Sequence, residues 1–221
     1  MPQLKIKSYL KFLENYSKKN NLILVFDEMV TGIRFNGKCV QQYFNIKPHI
    51  STFGKCFGGG LPIGIIALNK DILKRLNKLK KKVFFGGTFS GNQLSTFTGR
   101  KSLEFILKNK KKIFSNIEKK SNYFEKKVSN FIKKENIRVN FLKVHSIFRI
   151  IFSKQIPKNR VERDFLEKDN MRLIQKFRNY LLTKKINYPS NGIVFLSYRT
   201  SFEDLDYIIK FLNLGLKKFF K

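Results

Sequence analysis

Residues 22–34 read LILVFDEMVTGIR, and this stretch decides the fold class. Its first part, residues 22–26, is an unbroken apolar run between polar neighbours, which is typical of a parallel strand covered on both faces. The run ends in Asp27 and Glu28, and open α/β sheets bind their ligands at the carboxyl ends of strands. The stretch therefore predicts an α/β sheet with a ligand site at the end of this strand.

The apolar periodicity on either side of this strand predicts further helices and strands. Up to about residue 110 the pattern predicts a helix over 3–19, strands over 50–53 and 64–68, a helix over 69–79 and a long helix capped by Ser90. Beyond residue 110, the pattern predicts a basic helix over 112–135, two antiparallel strands around His145-Ser146, and a helix over 160–184. A strand over 193–197 and a closing helix follow, and Thr200 and Glu203 are expected to form the capping box of that helix. We therefore predict two domains, a mainly parallel α/β domain over 1–120 and a smaller α+β domain over 121–221.

The charge balance is strongly basic. The 221 residues include 46 Lys and Arg against 15 Asp and Glu, a formal net charge of +31. Such a balance is compatible with a nucleic-acid or anionic-membrane partner. The lysines are, however, dispersed along most of the predicted helices, and the sequence contains no recognisable nucleic-acid-binding motif. We therefore predict solvated basic helix faces, with neither a specific nucleic-acid partner nor a membrane partner.

Cysteine content and apolar runs bear on the cellular compartment. The two cysteines, Cys39 and Cys56, lack metal-ligand spacing, and no metal site is expected. No apolar run approaches the length of a membrane span, and the N-terminus lacks the apolar centre of a secretory signal. The expected location is therefore the cytoplasm.

Three neighbouring segments contain the residues that could support catalysis: residues 22–32, residues 51–64 (STFGKCFGGGLPIG) and residues 84–93 (FFGGTFSGNQ). Each is a weak signal alone, because an Asp at a strand end is often a cap and a Gly-rich stretch is often a turn. A nucleotide-binding P-loop is excluded, since the glycine run is followed by Leu61-Pro62 and not by Lys-Ser or Lys-Thr.

Taken together, the three segments resemble the class III (fold-type I) aminotransferases, and most closely the glutamate-1-semialdehyde 2,1-aminomutase group. Members carry an apolar strand ending in Asp-Glu, a Gly-Lys followed by a glycine run, and a Gly-Thr-x-Ser-Gly-Asn segment. The corresponding residues here are Asp27-Glu28, Gly54-Lys55 with 58–64, and Gly87 to Asn92. The tail, FLSYRTSFEDLDYI (195–208), is also similar to the closing strand and helix of that group.

The resemblance implies a pyridoxal 5'-phosphate (PLP) cofactor and a role for each matching residue. Lys55 would bind the cofactor aldehyde and then move protons as the catalytic amine. Asp27 would keep the pyridine nitrogen protonated, and Met29 would pack on the ring face, where relatives usually carry a small branched residue. Gly87 and Thr88 would reach the cofactor phosphate of a partner subunit, which implies a homodimer. The substrate would be a small-molecule amine.

The resemblance also implies that this chain corresponds to the C-terminal half of the family fold, so that 1–120 is a partial PLP-binding large domain and 121–221 the small domain. Three interpretations follow: a piece whose other half is supplied separately, a truncated or decayed relative, or a non-catalytic scaffold of that fold. We expect weak or absent turnover from the isolated chain. Glutamate-1-semialdehyde aminomutation is the first expectation, and a class III aminotransferase acting on an amino acid or sugar is the second.

Overall fold

The computed structural model of the chain describes residues 6–84 and 86–221. These residues form two compact units that divide between Ile113 and Phe114. The division falls within a 25-residue helix, Lys110–Lys134 (α5), which also contains the boundary expected at residue 120. Over the described ranges, no helix has the length and apolar content needed to cross a membrane.

The first unit consists of a three-stranded sheet and its surrounding helices. Its elements are α1 (Ile6–Lys19), β1 (Val25–Asp27), α2 (Val40–Phe44), β2 (Ile50–Gly54), a short 3-10 helix (Lys55–Gly58), β3 (Gly64–Leu68), α3 (Lys70–Asn77) and α4 (Gln93–Lys108). The strand order is β1-β2-β3. Residues 3–5 of the helix expected over 3–19 lie outside the described residues, and the described part begins at Ile6.

The sheet of the first unit is mixed, whereas the sequence suggested a mainly parallel one. β1 and β2 are parallel, with Val25 opposite Ile50 and Asp27 opposite Thr52. β3 is antiparallel to β2. The reason is the connection between them, residues 55–63, which is shorter than the dozen or so residues that a parallel crossover requires.

The apolar run that was expected to be covered on both faces is half exposed. Leu22, Ile23 and Val25 each expose just over half of their surface, at 51%, 55% and 52%. The strand is also shorter than expected, since β1 covers only Val25–Asp27. In the part of the chain that the structure describes, β2 is the strand on one side of β1 and no strand lies on the other. The apolar run therefore forms an open edge of this sheet.

The second unit packs helices on an antiparallel sheet. Its elements after α5 are β4 (Asn140–Val144), β5 (Ile147–Ile151), α6 (Arg160–Glu167), a 3-10 turn (Lys168–Asn170), α7 (Met171–Thr183), β6 (Ile193–Phe195) and α8 (Phe202–Phe220). The expected β4–β5 hairpin is confirmed, and β6 adds to the other side of β5. The core combines side chains from α5, β5, α7 and α8, among them Val128, Phe148, Phe177, Leu181 and Leu216. These side chains are at most 1% exposed, so this unit has a well-buried apolar core.

Two helix caps differ from the expected ones. Asn92, and not Ser90, caps α4, and its side chain accepts a hydrogen bond from Ser95 N at 3.0 Å. The capping box of α8 is formed by Ser201 and Asp204, and not by Thr200 and Glu203. Both corrections have the same physical cause. The capping side chain belongs to the last residue before helical backbone angles begin, and this position is not fixed by residue type.

Candidate functional site

The candidate site lies in the first unit, where β1 and β2 end. Because these strands are parallel, their carboxyl ends lie at the same edge of the sheet. Asp27 is the last residue of β1, and its Cα partner on β2 is Thr52. The Thr52 hydroxyl donates a hydrogen bond to Asp27 Oδ1 at 3.2 Å, so both side chains project from the same face. Lys55 follows β2 directly.

The Asp27 carboxylate is held through a single oxygen. Met29 N–H donates to the same Oδ1 at 3.0 Å, closing a short turn after the strand. In residues 6–84 and 86–221, both hydrogen-bond donors to this carboxylate reach Oδ1. The side chain is exposed at the strand end, and no residue in the described ranges donates a hydrogen bond to Oδ2.

Glu28 is the buried acid of the pair. It is 1% exposed, and its carboxylate accepts hydrogen bonds from Val40 N at 3.1 Å and Gln41 N at 2.8 Å. The Thr31 hydroxyl is a third donor to the same carboxylate. Glu28 therefore ties the turn after β1 to the first residues of α2. The sequence showed that an acid stands here, but its burial and its partners depend on the tertiary fold.

Met29 connects the two strand ends by packing. Its side chain lies against the backbone of Gly54, so that a Cβ added at Gly54 would lie 2.7 Å from Met29 Cε. Gly54 is buried, and it is the residue immediately before Lys55. The side chains or backbone of Asp27, Met29, Thr52 and Gly54 are thus in contact around the start of the Lys55 segment.

Lys55 has an unusual backbone. Its φ of +54° is in the left-handed region of backbone angles, which residues other than Gly rarely adopt. It begins the 3-10 helix Lys55–Gly58, and its side chain is exposed. Strained backbone of this kind tends to occur at functional sites, where the surrounding structure holds it in place.

The glycine run after Lys55 packs against α4. The Thr98 hydroxyl donates to Gly58 O at 3.0 Å, and a Cβ at Gly59 would lie 2.5 Å from Thr98 O. Glycines in such a run would allow the backbone to pass close to a ligand. In this structure the close approach at Gly58 and Gly59 is to a helix of the same unit.

Gly87 and Thr88 lie at the start of a separate turn. Ser90 N donates to Gly87 O at 2.9 Å, and both Gly87 and Thr88 are exposed. Within the described residues, no hydrogen bond joins either of them to Asp27, Met29 or Lys55. Their role toward a phosphate on a partner subunit therefore stays a prediction.

Cys56 and Arg34 are half-buried residues next to this edge. Burial raises the pKa of the Cys56 thiol above its ordinary value, with the Arg34 charge opposing the shift. Burial likewise lowers the pKa of Arg34. A thiol with a raised pKa is a poor nucleophile at neutral pH, which favours a packing role for Cys56.

Comparison with known proteins identifies a family. Residues 4–168 match the family model described as "Aminotransferase class-III". A curated glutamate-1-semialdehyde 2,1-aminomutase from Archaeoglobus fulgidus is 33% identical over 216 residues, covering 95% of this chain and 49% of the relative. The protein of the same name from Methanobrevibacter smithii is 29% identical over 217 residues, covering 97% of this chain and 50% of the relative. The chain thus spans about half the length of the curated relatives it matches.

Solved structures share the fold. An omega-transaminase from Sphaerobacter thermophilus superposes with a TM-score of 0.83 over 95% of this chain and 47% of its own, at 16% identity. A glutamate-1-semialdehyde aminomutase from Pseudomonas aeruginosa gives a TM-score of 0.81 over 95% of this chain and 48% of its own, also at 16% identity. The expected α/β class, as part of a larger fold, is confirmed.

Proposed function

Since the chain belongs to the class III aminotransferase family, we propose that it forms one half of a PLP-dependent enzyme that transfers an amino group, with Asp27 and Lys55 at its centre. The observation that supports this most directly is the shared sheet edge, where Asp27 ends β1 and Lys55 follows the parallel β2. A carboxylate and an amine at one edge are the two groups that the cofactor requires from this part of the chain.

The residues present fit the cofactor. The exposed carboxylate of Asp27, with Oδ2 available, would face the pyridine nitrogen and favour its protonated form. Met29 would pack on the ring, and Lys55 Nζ would bind the aldehyde. Gly87 and Thr88 would contact the phosphate held by a second subunit. When bound, the cofactor withdraws electrons from the substrate carbon that bears the amino group.

In this proposal Lys55 has a second role as an acid-base group. Once its Nζ is free, the amine can take a proton from the substrate carbon and return it at another position. The left-handed backbone of Lys55 and the Met29–Gly54 contact fix where the side chain starts. Asp27 and Met29 stay in place through backbone and side-chain hydrogen bonds, which avoids reorganisation during the reaction.

The proposed reaction is glutamate-1-semialdehyde aminomutation, which follows the name of the curated relatives. Transfer between two substrates would use the same Asp27 and Lys55, so a class III aminotransferase acting on an amino acid or sugar is the alternative reaction. A solved neighbour is described as a glutamate-1-semialdehyde aminomutase in complex with PMP, the amino form of the cofactor, which supports a cofactor of this kind for both reactions.

We also propose that the chain needs a partner polypeptide corresponding to the other half of its relatives. Besides the half coverage, the support is the open apolar edge of the first unit, where Leu22, Ile23 and Val25 are half exposed. Sheet edges of this kind are normally paired or covered, because they otherwise promote association. Alone, the 221-residue chain should show weak or no turnover.

The test is borohydride fixation of PLP followed by peptide mass analysis. Because the chain is rich in lysine, the informative quantity is the label on Lys55 relative to an exposed lysine elsewhere in the unit, such as Lys101 on α4. We expect Lys55 to be labelled at lower PLP concentrations than Lys101. In Asp27→Asn, the label on Lys55 should fall while that on Lys101 is unchanged.

Equal labelling of the two lysines in a folded sample would overturn the proposal and favour a non-catalytic scaffold. Native mass measurement of the protein from its source tests the partner half. A mass that corresponds only to copies of this chain would contradict the proposed complex.

A further inference from the structure

We propose that Thr52 is a positioning residue for Asp27. This inference rests on the proposed function, since it concerns the carboxylate that would face the cofactor. Thr52 and Asp27 are Cα partners on adjacent parallel strands, and the Thr52 hydroxyl donates to Asp27 Oδ1 at 3.2 Å. Thr52 lies within the second of the three segments, residues 51–64, but the family resemblance implies no role for it.

Thr52 holds the end of β1 in two ways. Its backbone oxygen accepts a hydrogen bond from Glu28 N at 2.9 Å, which extends the strand pairing one residue past Asp27. Its side chain then occupies one oxygen of the carboxylate. The backbone bond fixes where the chain lies, and the hydroxyl fixes how the carboxylate is turned.

The consequence is a difference between the two oxygens of Asp27. Met29 N and Thr52 Oγ1 both donate to Oδ1, at 3.0 and 3.2 Å. A carboxylate with one oxygen held by two donors presents its other oxygen in a preferred direction. Without the hydroxyl, only the local turn to Met29 remains, and the carboxylate can rotate about its terminal bond at little cost. Thr52 therefore favours one orientation of the carboxylate, in which Oδ2 would face the protonated ring nitrogen of the cofactor.

The position of Thr52 on β2 links the orientation of Asp27 to the position of Lys55. Thr52 lies on β2, three residues before Lys55, so one strand carries both the amine and the group that orients the carboxylate. Any shift in the β1–β2 register would move the Thr52 hydroxyl away from Asp27. The same shift would move Lys55 relative to Asp27, because Lys55 follows Thr52 on the same strand segment. The positions of the two cofactor-binding groups are thereby coupled.

The experiment compares Thr52→Val, Thr52→Ser and wild type in the borohydride assay, with PLP as the probe. Val keeps the branched shape and removes the hydroxyl, whereas Ser keeps the hydroxyl. We expect Val to raise the PLP concentration for half-maximal label on Lys55 by about three- to tenfold, the size of one net hydrogen bond. Ser should restore most of the affinity. A general loss of fold would not give this rescue.

Thr96→Val on α4 is the matched control, since the Thr96 hydroxyl bonds, among the residues that the structure describes, only the preceding turn, at Asn92 O and Gln93 O. It should leave the label on Lys55 unchanged. An effect of Thr96→Val as large as that of Thr52→Val would overturn the assignment, as would a Thr52→Val protein that binds PLP as wild type does.

A second measurement separates this inference from the proposed function. In urea unfolding, the shifts in midpoint caused by Thr52→Val and Asp27→Ala should be non-additive in the double variant, because each removes the same hydrogen bond. Non-additivity together with no preference of PLP for Lys55 would keep the contact and overturn the proposed function. Strict additivity would overturn the inference whatever the cofactor does.

Discussion

Met29 packs on Gly54 so closely that a side chain at position 54 would collide with it. A Cβ there would lie 2.7 Å from Met29 Cε and 2.8 Å from the backbone oxygen of Ile63. The second contact is to backbone and cannot be relieved by a rotamer change. We therefore expect Gly54→Ala to lower the free energy of unfolding by about 1–3 kcal/mol, a typical cost of overpacking, in urea denaturation.

Gly64 is the natural control for this change. It is the cross-strand partner of Gly54 on β3, and a Cβ at Gly64 would meet no atom within 4 Å. Gly64→Ala should be neutral or slightly stabilising, since it restricts the unfolded chain. Equal effects at the two glycines would contradict the packing described for Met29.

The left-handed backbone of Lys55 predicts an order of stability among its variants. A residue with a Cβ in this region costs roughly 1 kcal/mol, which glycine avoids. Lys55→Gly should therefore be more stable than Lys55→Ala by about 0.5–1 kcal/mol in thermal or urea unfolding. In α3 the order should reverse, with Lys74→Gly less stable than Lys74→Ala by about 1 kcal/mol. The same order at both positions would contradict the +54° angle at Lys55.

The buried carboxylate of Glu28 should contribute strongly to stability. Glu28→Ala would remove the buried carboxylate that accepts hydrogen bonds from Val40 N and Gln41 N. We expect it to lower the free energy of unfolding by about 2–3 kcal/mol. Glu28→Gln keeps one oxygen as an acceptor and should lose less. Glu104→Ala, which removes an exposed carboxylate paired with Arg100 on α4, should change the urea midpoint only slightly. A small effect of Glu28→Ala would show that the turn after β1 does not depend on this acid.

The sequence was a good guide to local structure where one pattern dominated. Gly64–Leu68 and the β4–β5 hairpin agree with the structure because a short apolar run, or two runs flanking a turn, allow few alternatives. The Asp27–Thr52 contact could not be predicted in the same way. It depends on which strands are neighbours and in what register, and register is a property of the assembled sheet.

The exposure of the LILVF run shows a second limit. An apolar run reports that a strand can be covered on both faces, but it does not identify the segment that covers it. The described residues leave Leu22, Ile23 and Val25 half exposed, so the local prediction and the burial differ. The helix caps show a third limit, because Ser90 and Thr200 are suitable residue types that stand one or two positions too early.

The cap of α8 can be tested at adjacent residues. Ser201 Oγ accepts a hydrogen bond from Asp204 N at 3.0 Å, and Ser201 N donates to Asp204 Oδ2 at 2.8 Å. Ser201→Ala should lower the free energy of unfolding by about 1 kcal/mol, measured by urea denaturation. Thr200→Ala should have little effect, because Thr200 is not part of this capping box. A larger loss of unfolding free energy in Thr200→Ala than in Ser201→Ala would instead support the capping box of Thr200 and Glu203 that the sequence predicted.

Glu135 should make stability depend on pH in the acid range. It follows α5 and forms ion pairs with Lys217 Nζ at 2.8 Å and Lys221 Nζ at 2.9 Å. Lys217 lies in the last turn of α8, and Lys221 is the residue directly after this helix. Hydrogen bonds from these two lysines lower the pKa of Glu135 from 4.5 to about 2. A lowered pKa means that the folded state binds the proton more weakly than the unfolded state does. The stabilisation is therefore complete above about pH 4.5 and is lost as the pH falls toward about 2.

Glu135→Gln removes this contribution, so its urea midpoint should lie below that of wild type at pH 6 and approach it near pH 2. The difference at pH 6 should shrink in 1 M salt, because exposed ion pairs are screened. Asp169→Asn, at an exposed carboxylate for which no ion pair occurs within residues 6–84 and 86–221, should show a smaller dependence on pH and salt. If the difference between wild type and Glu135→Gln stayed constant from pH 6 to pH 2, the lysine pair would not be the source of the acid sensitivity.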